Sequence, residues 1–310
     1  MKKWLLVTAF VFIAAFVSIY IFIPARLEIV QITRIACTTS GAFRTIAAPG
    51  KWNAWWPVTG SNSHILTYKN NSFELTKTLI NTLEIRVHQN NGLSLNSTLH
   101  ILPLAGDSTS IVWTCSFPSG LNPFKRIQHY RQAVALKHNM AAILSQFKSF
   151  AEKKENIYGI SFHDTIFKDS FLVSTKTSMS AYPSVTTIYS LITALKKYSA
   201  AQHAQQTGHP IMNITPLNPN GFQVLTALPI DRSISPSGQF FNQRIPMNHF
   251  LVTRVHGGDT TVNQALQQLQ LYIQDYHRTL MALPFQQLIT DRSAEPDTTR
   301  WMTDIYVPLF

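Results

Sequence analysis

Phe171-Leu-Val-Ser174 and Phe250-Leu-Val-Thr253 are near copies standing 79 residues apart, and the reading of the C-terminal half follows from them. Leu228-Pro-Ile230 and Val307-Pro-Leu309 keep the same offset. Between these pairs, Ile188, Leu191, Leu195 and Tyr198 answer to Leu266, Leu269, Ile273 and Tyr276 at an offset of 78. Pro210-Ile-Met-Asn-Ile-Thr215 loosely answers to Pro284-Phe-Gln-Gln-Leu-Ile-Thr290. The helical spacing of 3, 4 and 3 puts four apolar residues on one face in each copy. Each copy therefore reads strand, helix, strand, turn, strand. Neither has a large core alone. Two packed side by side predict a pseudo-twofold pair of sheets with both helices behind them, and a ligand cleft along the concave seam.

Upstream of the duplication the pattern changes. Residues 27–34 (LEIVQITR) alternate as a strand, and residues 37–47 read as a short helix closed by Pro49-Gly50. Residues 64–118 read as several strands, with Asn90-Asn91-Gly92 as a hairpin turn. Residues 126–152 carry Ile127, Tyr130, Val134, Met140, Ile143, Leu144, Phe147 and Phe150 at roughly helical spacing. A long amphipathic helix laid over a curved sheet makes a cup, and the fold class is α+β.

Residues 4–23 (WLLVTAFVFIAAFVSIYIFI) hold no charge. At ~1.5 Å per residue they reach ~30 Å, one bilayer core. A cleaved signal peptide usually has a shorter apolar run and a small-x-small site, whereas this run ends on bulky residues. An uncleaved transmembrane anchor within residues 1–26 is expected. Lys2 and Lys3 precede the span and Arg26 follows it, which places the bulk of the chain outside the cytoplasmic membrane. The net charge of +11 is concentrated in the N-terminal half: residues 27–155 hold thirteen basic and six acidic side chains, residues 156–310 ten and nine. An anionic membrane surface explains this better than nucleic acid, which is not an expected partner.

Ile46-Ala-Ala-Pro-Gly-Lys-Trp-Asn-Ala-Trp-Trp-Pro57 and the helix Met140–Glu152 resemble the start and end of the START-like (SRPBCC, polyketide-cyclase-like) superfamily. The resemblance implies a helix-grip domain over residues 27–153 enclosing an apolar cavity. Tyr158-Gly159, the two Phe-Leu-Val strands, His256-Gly-Gly-Asp-Thr-Thr261 and Trp301-Met-Thr-Asp-Ile-Tyr-Val-Pro-Leu309 resemble the GyrI-like effector-binding domain over residues 156–310. This resemblance implies a duplicated βαββ fold whose aromatic-lined cleft takes lipophilic cations at an acidic residue. Asp304 stands where that family has Glu.

The candidate ligand-binding residues are Asp304, Tyr306, Trp301, His256 and Phe222. A carboxylate in a partly apolar pocket is poorly screened, and aromatic faces add cation–π attraction. In a strand, Asp304, Tyr306 and Met302 share one face while Trp301, Thr303 and Ile305 share the other. Asp304 is alternatively a salt-bridged strand residue, and His256 a turn-flanking one. Asp259 reads as the cap of the following helix. Trp52, Trp55 and Trp56 either edge the cavity or pack the core. The helix start Lys125-Arg126-x-x-His129-x-Arg131 either meets lipid headgroups or forms a solvated face. Cys37 and Cys115 are bonded or separate. No zinc-protease, nucleophile-elbow, phosphate-loop or dinucleotide motif occurs, and no catalytic residue, metal or cofactor is assigned. The expected partner is an amphipathic small molecule or a lipid. Hydrolysis of small electrophilic compounds in the GyrI-like cleft is the alternative.

Overall fold

Strand β1 (Arg26–Ile35) alternates, with Leu27, Ile29 and Ile35 turned inward. In the computed structural model, which describes residues 2–57, 65–120, 122–167, 171–217, 221–245 and 249–310, it belongs to the first of two units, Met1–Ile157 and Tyr158–Phe310. Ahead of it runs α1 (Lys2–Phe22), seven of whose side chains lie outside the described set. Among the described residues no helix is long and apolar enough to cross a membrane. After β1 come α2 (Thr39–Ile46) and a 3₁₀ turn over Pro49–Ala54. Strands β2 (Ile65–Tyr68), β3 (Asn71–Leu79), β4 (Thr82–Gln89), β5 (Ser94–Leu104) and β6 (Ser108–Pro118) complete an antiparallel sheet of order β1-β6-β5-β4-β3-β2.

Helix α3 (Pro123–Ala151) lies on the inner face of that sheet, burying Leu136, Met140, Ile143, Leu144 and Phe147. Asn122 starts it by accepting from the amides of Phe124 and Lys125, and Pro123 fills the first position, where no amide partner is needed. Short α4 (Lys154–Tyr158) follows.

Aromatic rings meet where the expected apolar cavity would lie. Trp52 stacks on Trp56 at 5.3 Å, Trp55 meets Phe147 edge-on at 4.7 Å, and Phe73 joins Trp56 to Trp113. The indoles of Trp52, Trp56 and Trp113 donate to Ile46 O, Thr67 O and Ser97 Oγ, so their polar edges are satisfied. The three tryptophans are core.

The basic helix start is solvated at Lys125 and Arg131, whereas Arg126 turns inward. Arg126 is buried, donates from Nε to Ile23 O at 2.6 Å and lies over the Tyr20 ring. A cation on the last carbonyls of α1 also complements the helix dipole.

The two cysteines do not bond. Thr109 donates to Cys37 O at 2.6 Å, while Cys115 lies six residues farther along β6. That separation is ~20 Å of strand, against ~7 Å between Cα atoms as the limit for a disulfide. Burial pushes the Cys115 thiol up to about 12 from 9.0. Native protein at pH 8 should therefore resist thiol reagents at Cys115 until it unfolds. As the folded pKa is raised, the unfolded chain alone loses the proton above about pH 9, so stability should fall as pH rises from there towards 12. Cys115→Ala in an alkaline denaturant series should flatten that slope; an unchanged slope would refute the assignment.

The second unit forms one continuous eight-stranded antiparallel sheet rather than a pair of sheets. Its strands are β7 (His163–Ile166), β8 (Phe171–Met179), β9 (Ile211–Pro216), β10 (Phe222–Pro229), β11 (Phe240–Arg244), β12 (His249–His256), β13 (Phe285–Leu288) and β14 (Met302–Pro308), ordered β11-β8-β10-β9-β13-β14-β12-β7. The halves join through β9 and β13, where Ile211 pairs with Gln287 and Met212 with Gln286. Helices α5 (Val185–Ala201) and α6 (Asp259–Asp275) follow the first strand of each copy. Their buried stripes, Ile188, Ile192, Leu195 and Ser199 in α5 and Val262, Ala265, Leu269, Tyr272 and Ile273 in α6, include Ile188, Leu195, Leu269 and Ile273 of the predicted ones, while Leu191, Tyr198, Leu266 and Tyr276 are half-buried.

The duplication is visible in the ladders. Pro229 lies opposite Leu172, and Pro308 opposite Phe250. If Pro229 matches Pro308, then Leu172 matches Phe250, an offset of 78 rather than the 79 that aligns the two Phe-Leu-Val motifs. Burial agrees, since Leu172 through Thr175 and Phe250 through Thr253 are the buried runs. A slip of one residue would exchange the two faces of the strand.

Candidate functional site

Side chains of alternate parity on these strands serve two purposes. Val224, Thr226 and Leu228 of β10 and Thr303, Ile305 and Val307 of β14 are fully or almost fully buried. Leu225 and Ala227, with Tyr306 on β14, gather with Leu172, Ile211, Phe250 and Phe285 in a separate apolar cluster. That cluster opens into a cleft of about 430 Å³.

Two kinds of wall enclose the cleft. One is aromatic, from Phe250 and Phe285, and Phe285 is backed by Tyr306, which stacks on it at 5.1 Å and 10°, and by Phe167, which meets it edge-on. The other is aliphatic, from Leu172, Ile211, Leu225 and Ile245. The 281–284 segment (Met-Ala-Leu-Pro) contributes Met281, Ala282 and Leu283 to the lining, and Asn213 Nδ2 fixes it by donating to Pro284 O at 2.7 Å. Asn213 Oδ1 accepts from Thr215. Gln243 and Arg244 of β11 supply the remaining polar lining. Gln243 Oε1 accepts from Ser174, and the Arg244 guanidinium lies 4.5 Å from the centre of the Phe171 ring. Arg244 is the only charged side chain among the described lining residues.

The five sequence candidates are dispersed. Tyr306 packs on Phe285 in the cluster beside the cleft and is not among the described lining residues. Asp304 shares its parity but is held by Arg254 on the adjacent strand, Nε to Oδ1 and Nη2 to Oδ2, both 2.7 Å. Its side chain is 9% exposed, and it does not line the cleft. The carboxylate holds the Arg254 guanidinium above its ordinary pKa through the paired hydrogen bonds and the opposite charge. Phe222 opens β10, away from Leu225 and Ala227, with its ring edge on Tyr182. His256 closes β12 opposite Met302.

Trp301 is buried in a different cluster. Its ring carries the Arg292 guanidinium at 4.7 Å, and its indole donates to Glu295 O. Arg292 is 2% exposed, donates to Thr303 Oγ1 at 2.8 Å and reaches Asp259 at 3.3 Å, while its Nε has no partner among the described residues. Burial lowers the Arg292 pKa. Asp259 is therefore the first residue of α6 rather than its cap, which is Gly258. Gly257, at φ 126°, is needed because a Cβ there would meet Thr261 Oγ1 at 2.6 Å.

Asp304→Asn should cost at most about 1 kcal/mol, because the Arg254 side chain is 56% exposed and water replaces the lost charge. A urea titration checks this. A loss several times larger would show that the pair holds the sheet together.

Neither a family model nor a curated protein matches the sequence. Solved structures do resemble it. The C-terminal domain of EcmrR is 15% identical, covering 49% of this chain and 98% of its own, with a TM-score of 0.43. SAV2435 bound to tetraphenylphosphonium is 13% identical, covering 49% of this chain and 94% of its own, at 0.32. A hydrolase from Listeria innocua is 5% identical, covering 48% and 92%, at 0.37.

Proposed function

We propose that the chain is a membrane-anchored binding protein, a START-like unit joined to a GyrI-like one, whose second unit holds a small amphipathic molecule in the 430 Å³ cleft. The carrying observation is the lining: apolar and aromatic walls with Arg244 as the sole charge among the described residues. A ligand with an apolar body and an anionic head fits it. The body replaces water on the walls, and the head meets a guanidinium rather than a carboxylate. The cation preference expected of Asp304 does not follow, since Arg254 already neutralises that group. The described lining offers no nucleophile, imidazole or carboxylate to support hydrolysis.

Anchoring through residues 4–23 is the second part of the proposal. It is supported by an uncharged stretch of bilayer length and by the exposure of Trp4, Phe10, Ile13, Val17 and Ile21 on α1. Lys2 and Lys3 place the remainder outside the cytoplasm. Protease added to spheroplasts should digest the C-terminus; full protection would overturn this orientation.

The binding test uses the full chain in nanodiscs. A fluorescent anilinonaphthalene sulfonate should bind and be displaced by octanoate. Tetraphenylphosphonium, the molecule bound to SAV2435, should displace it poorly. Arg244→Gln should weaken octanoate by roughly tenfold, about 1.4 kcal/mol. Tighter binding of the phosphonium than of octanoate, unaffected by Arg244→Gln, would overturn the charge preference.

A further inference from the structure

The inner face of the first unit's sheet ends in polar residues. Asn71 pairs with Gln89 at the end of β3 and β4, on the same parity as the core residues Phe73 and Val87. Opposite them, α3 presents Gln132, His138 and Asn139. Between these walls is a pocket of about 420 Å³, within the size range of small-molecule sites.

One of its polar groups is unspent. Asn71 and Asn139 are each 5% exposed, and both line the pocket. Gln89 Oε1 is buried with no partner. Buried polar groups are almost always paired, with protein, water or ligand. A buried unpaired oxygen beside two further carboxamides, Asn71 and Asn139, that line the same pocket marks a place built to be filled by something polar. Asn91 Nδ2 donates to Gln132 Oε1 at 3.3 Å, so the two walls already touch at one side.

We propose that this pocket binds a neutral saccharide. Each carboxamide offers a donor and an acceptor a short distance apart, which is what neighbouring sugar hydroxyls offer in return. The carboxamides come from both walls, so the ligand must be polar on all its faces. A lipid tail would leave them buried and unpaired. No carboxylate lines the pocket to hold a cation. The Lys69 ammonium already lies 5.4 Å from the centre of the Tyr68 ring. An extended peptide is polar along its backbone and not around its circumference.

The test is calorimetric titration of the full chain in phosphatidylcholine nanodiscs with maltotriose and with the N-acetylglucosamine trimer. At least one should bind, and Asn139→Leu and Gln89→Met should each weaken it by roughly tenfold or more. Asn139→Leu should melt close to the parent, because it replaces a carboxamide at the pocket wall by an apolar group of similar size. Octanoate binding in the second unit should be unchanged, which separates this site from that one. Absence of heat from both trisaccharides at ~10 mM would overturn the proposal. So would saccharide binding that both variants keep, or equal binding of an uncharged tri-alanine amide.

Discussion

Placing an unpaired carboxylate at position 225 should turn the cleft from an anion site into a site for lipophilic cations. Leu225 stands where the duplication puts Asp304, and it lines the cleft whereas Asp304 does not. The neighbouring strand supplies the complication. Leu225 lies opposite Lys176, as Asp304 lies opposite Arg254. In Leu225→Asp alone the lysine would claim the new charge, repeating the pair already seen in the other half. The informative variant is therefore Leu225→Asp with Lys176→Gln. At pH 8 its carboxylate meets apolar walls, where a unit charge is screened less than in water. Octanoate should bind at least tenfold more weakly and tetraphenylphosphonium at least tenfold more tightly, each about 1.4 kcal/mol or more. The single variant should show a clearly smaller change than the double. Equal behaviour of both, or no change in either ligand, would show that position 225 does not face the bound molecule.

The largest stability effect in the second unit is expected at Arg292. The guanidinium ties Asp259 at the start of α6, Thr303 on β14 and the Trp301 ring, and the Arg292 backbone amide donates to the Tyr189 hydroxyl of α5. Arg292→Ala removes the cation and leaves Thr303 and Trp301 facing a void. Cutting one partner from a buried pair costs ~3–5 kcal/mol, and the low end applies because Asp259 is 44% exposed. Arg292→Met should recover a good part, since it refills the space over Trp301 and removes the orphaned Nε. Urea unfolding followed by Trp301 fluorescence measures both. Equal losses for Ala and Met would mean that charge, not packing, holds the cluster.

The two units were legible to different degrees for physical reasons. In the first, alternation and the Asn90-Asn91-Gly92 turn mark strands that are each half-buried, so periodicity suffices. What periodicity cannot measure is volume. The motif around Trp52, Trp55 and Trp56 carried the resemblance to cavity-forming proteins, yet those rings meet one another across the interior. In the second unit the copies were visible, but Phe-Leu-Val aligned on itself pulls the register one residue out. At the offset of 78, Lys176 and Arg254 become equivalent and fall beside Leu225 and Asp304. The ion pair that occupies Asp304 is readable only from that register. Strands β7 and β11 are short edges outside the repeat, and β11 contributes Gln243 and Arg244, the polar groups with most to say about the ligand. The carboxamide pocket has no linear signature. Asn71, Gln89 and Asn139 come together through one hairpin and one distant helix.

The grip of Arg126 on Ile23 and Tyr20 sets how far the first unit can stray from whatever holds α1. A flexible tether lets a domain sweep a wide shell. Here only Ile23, Pro24 and Ala25 separate α1 from β1, and Arg126 fastens Ile23 to the first turn of α3. With residues 4–23 in a bilayer, the saccharide pocket would hang at a fixed height. Gln132 and Asn139 lie 9 and 16 residues along α3 from Pro123, no more than ~24 Å at ~1.5 Å per residue. Anchored in that way, the pocket would sample only the polymers and glycolipids lying against the membrane, at a local concentration that the bulk phase does not set.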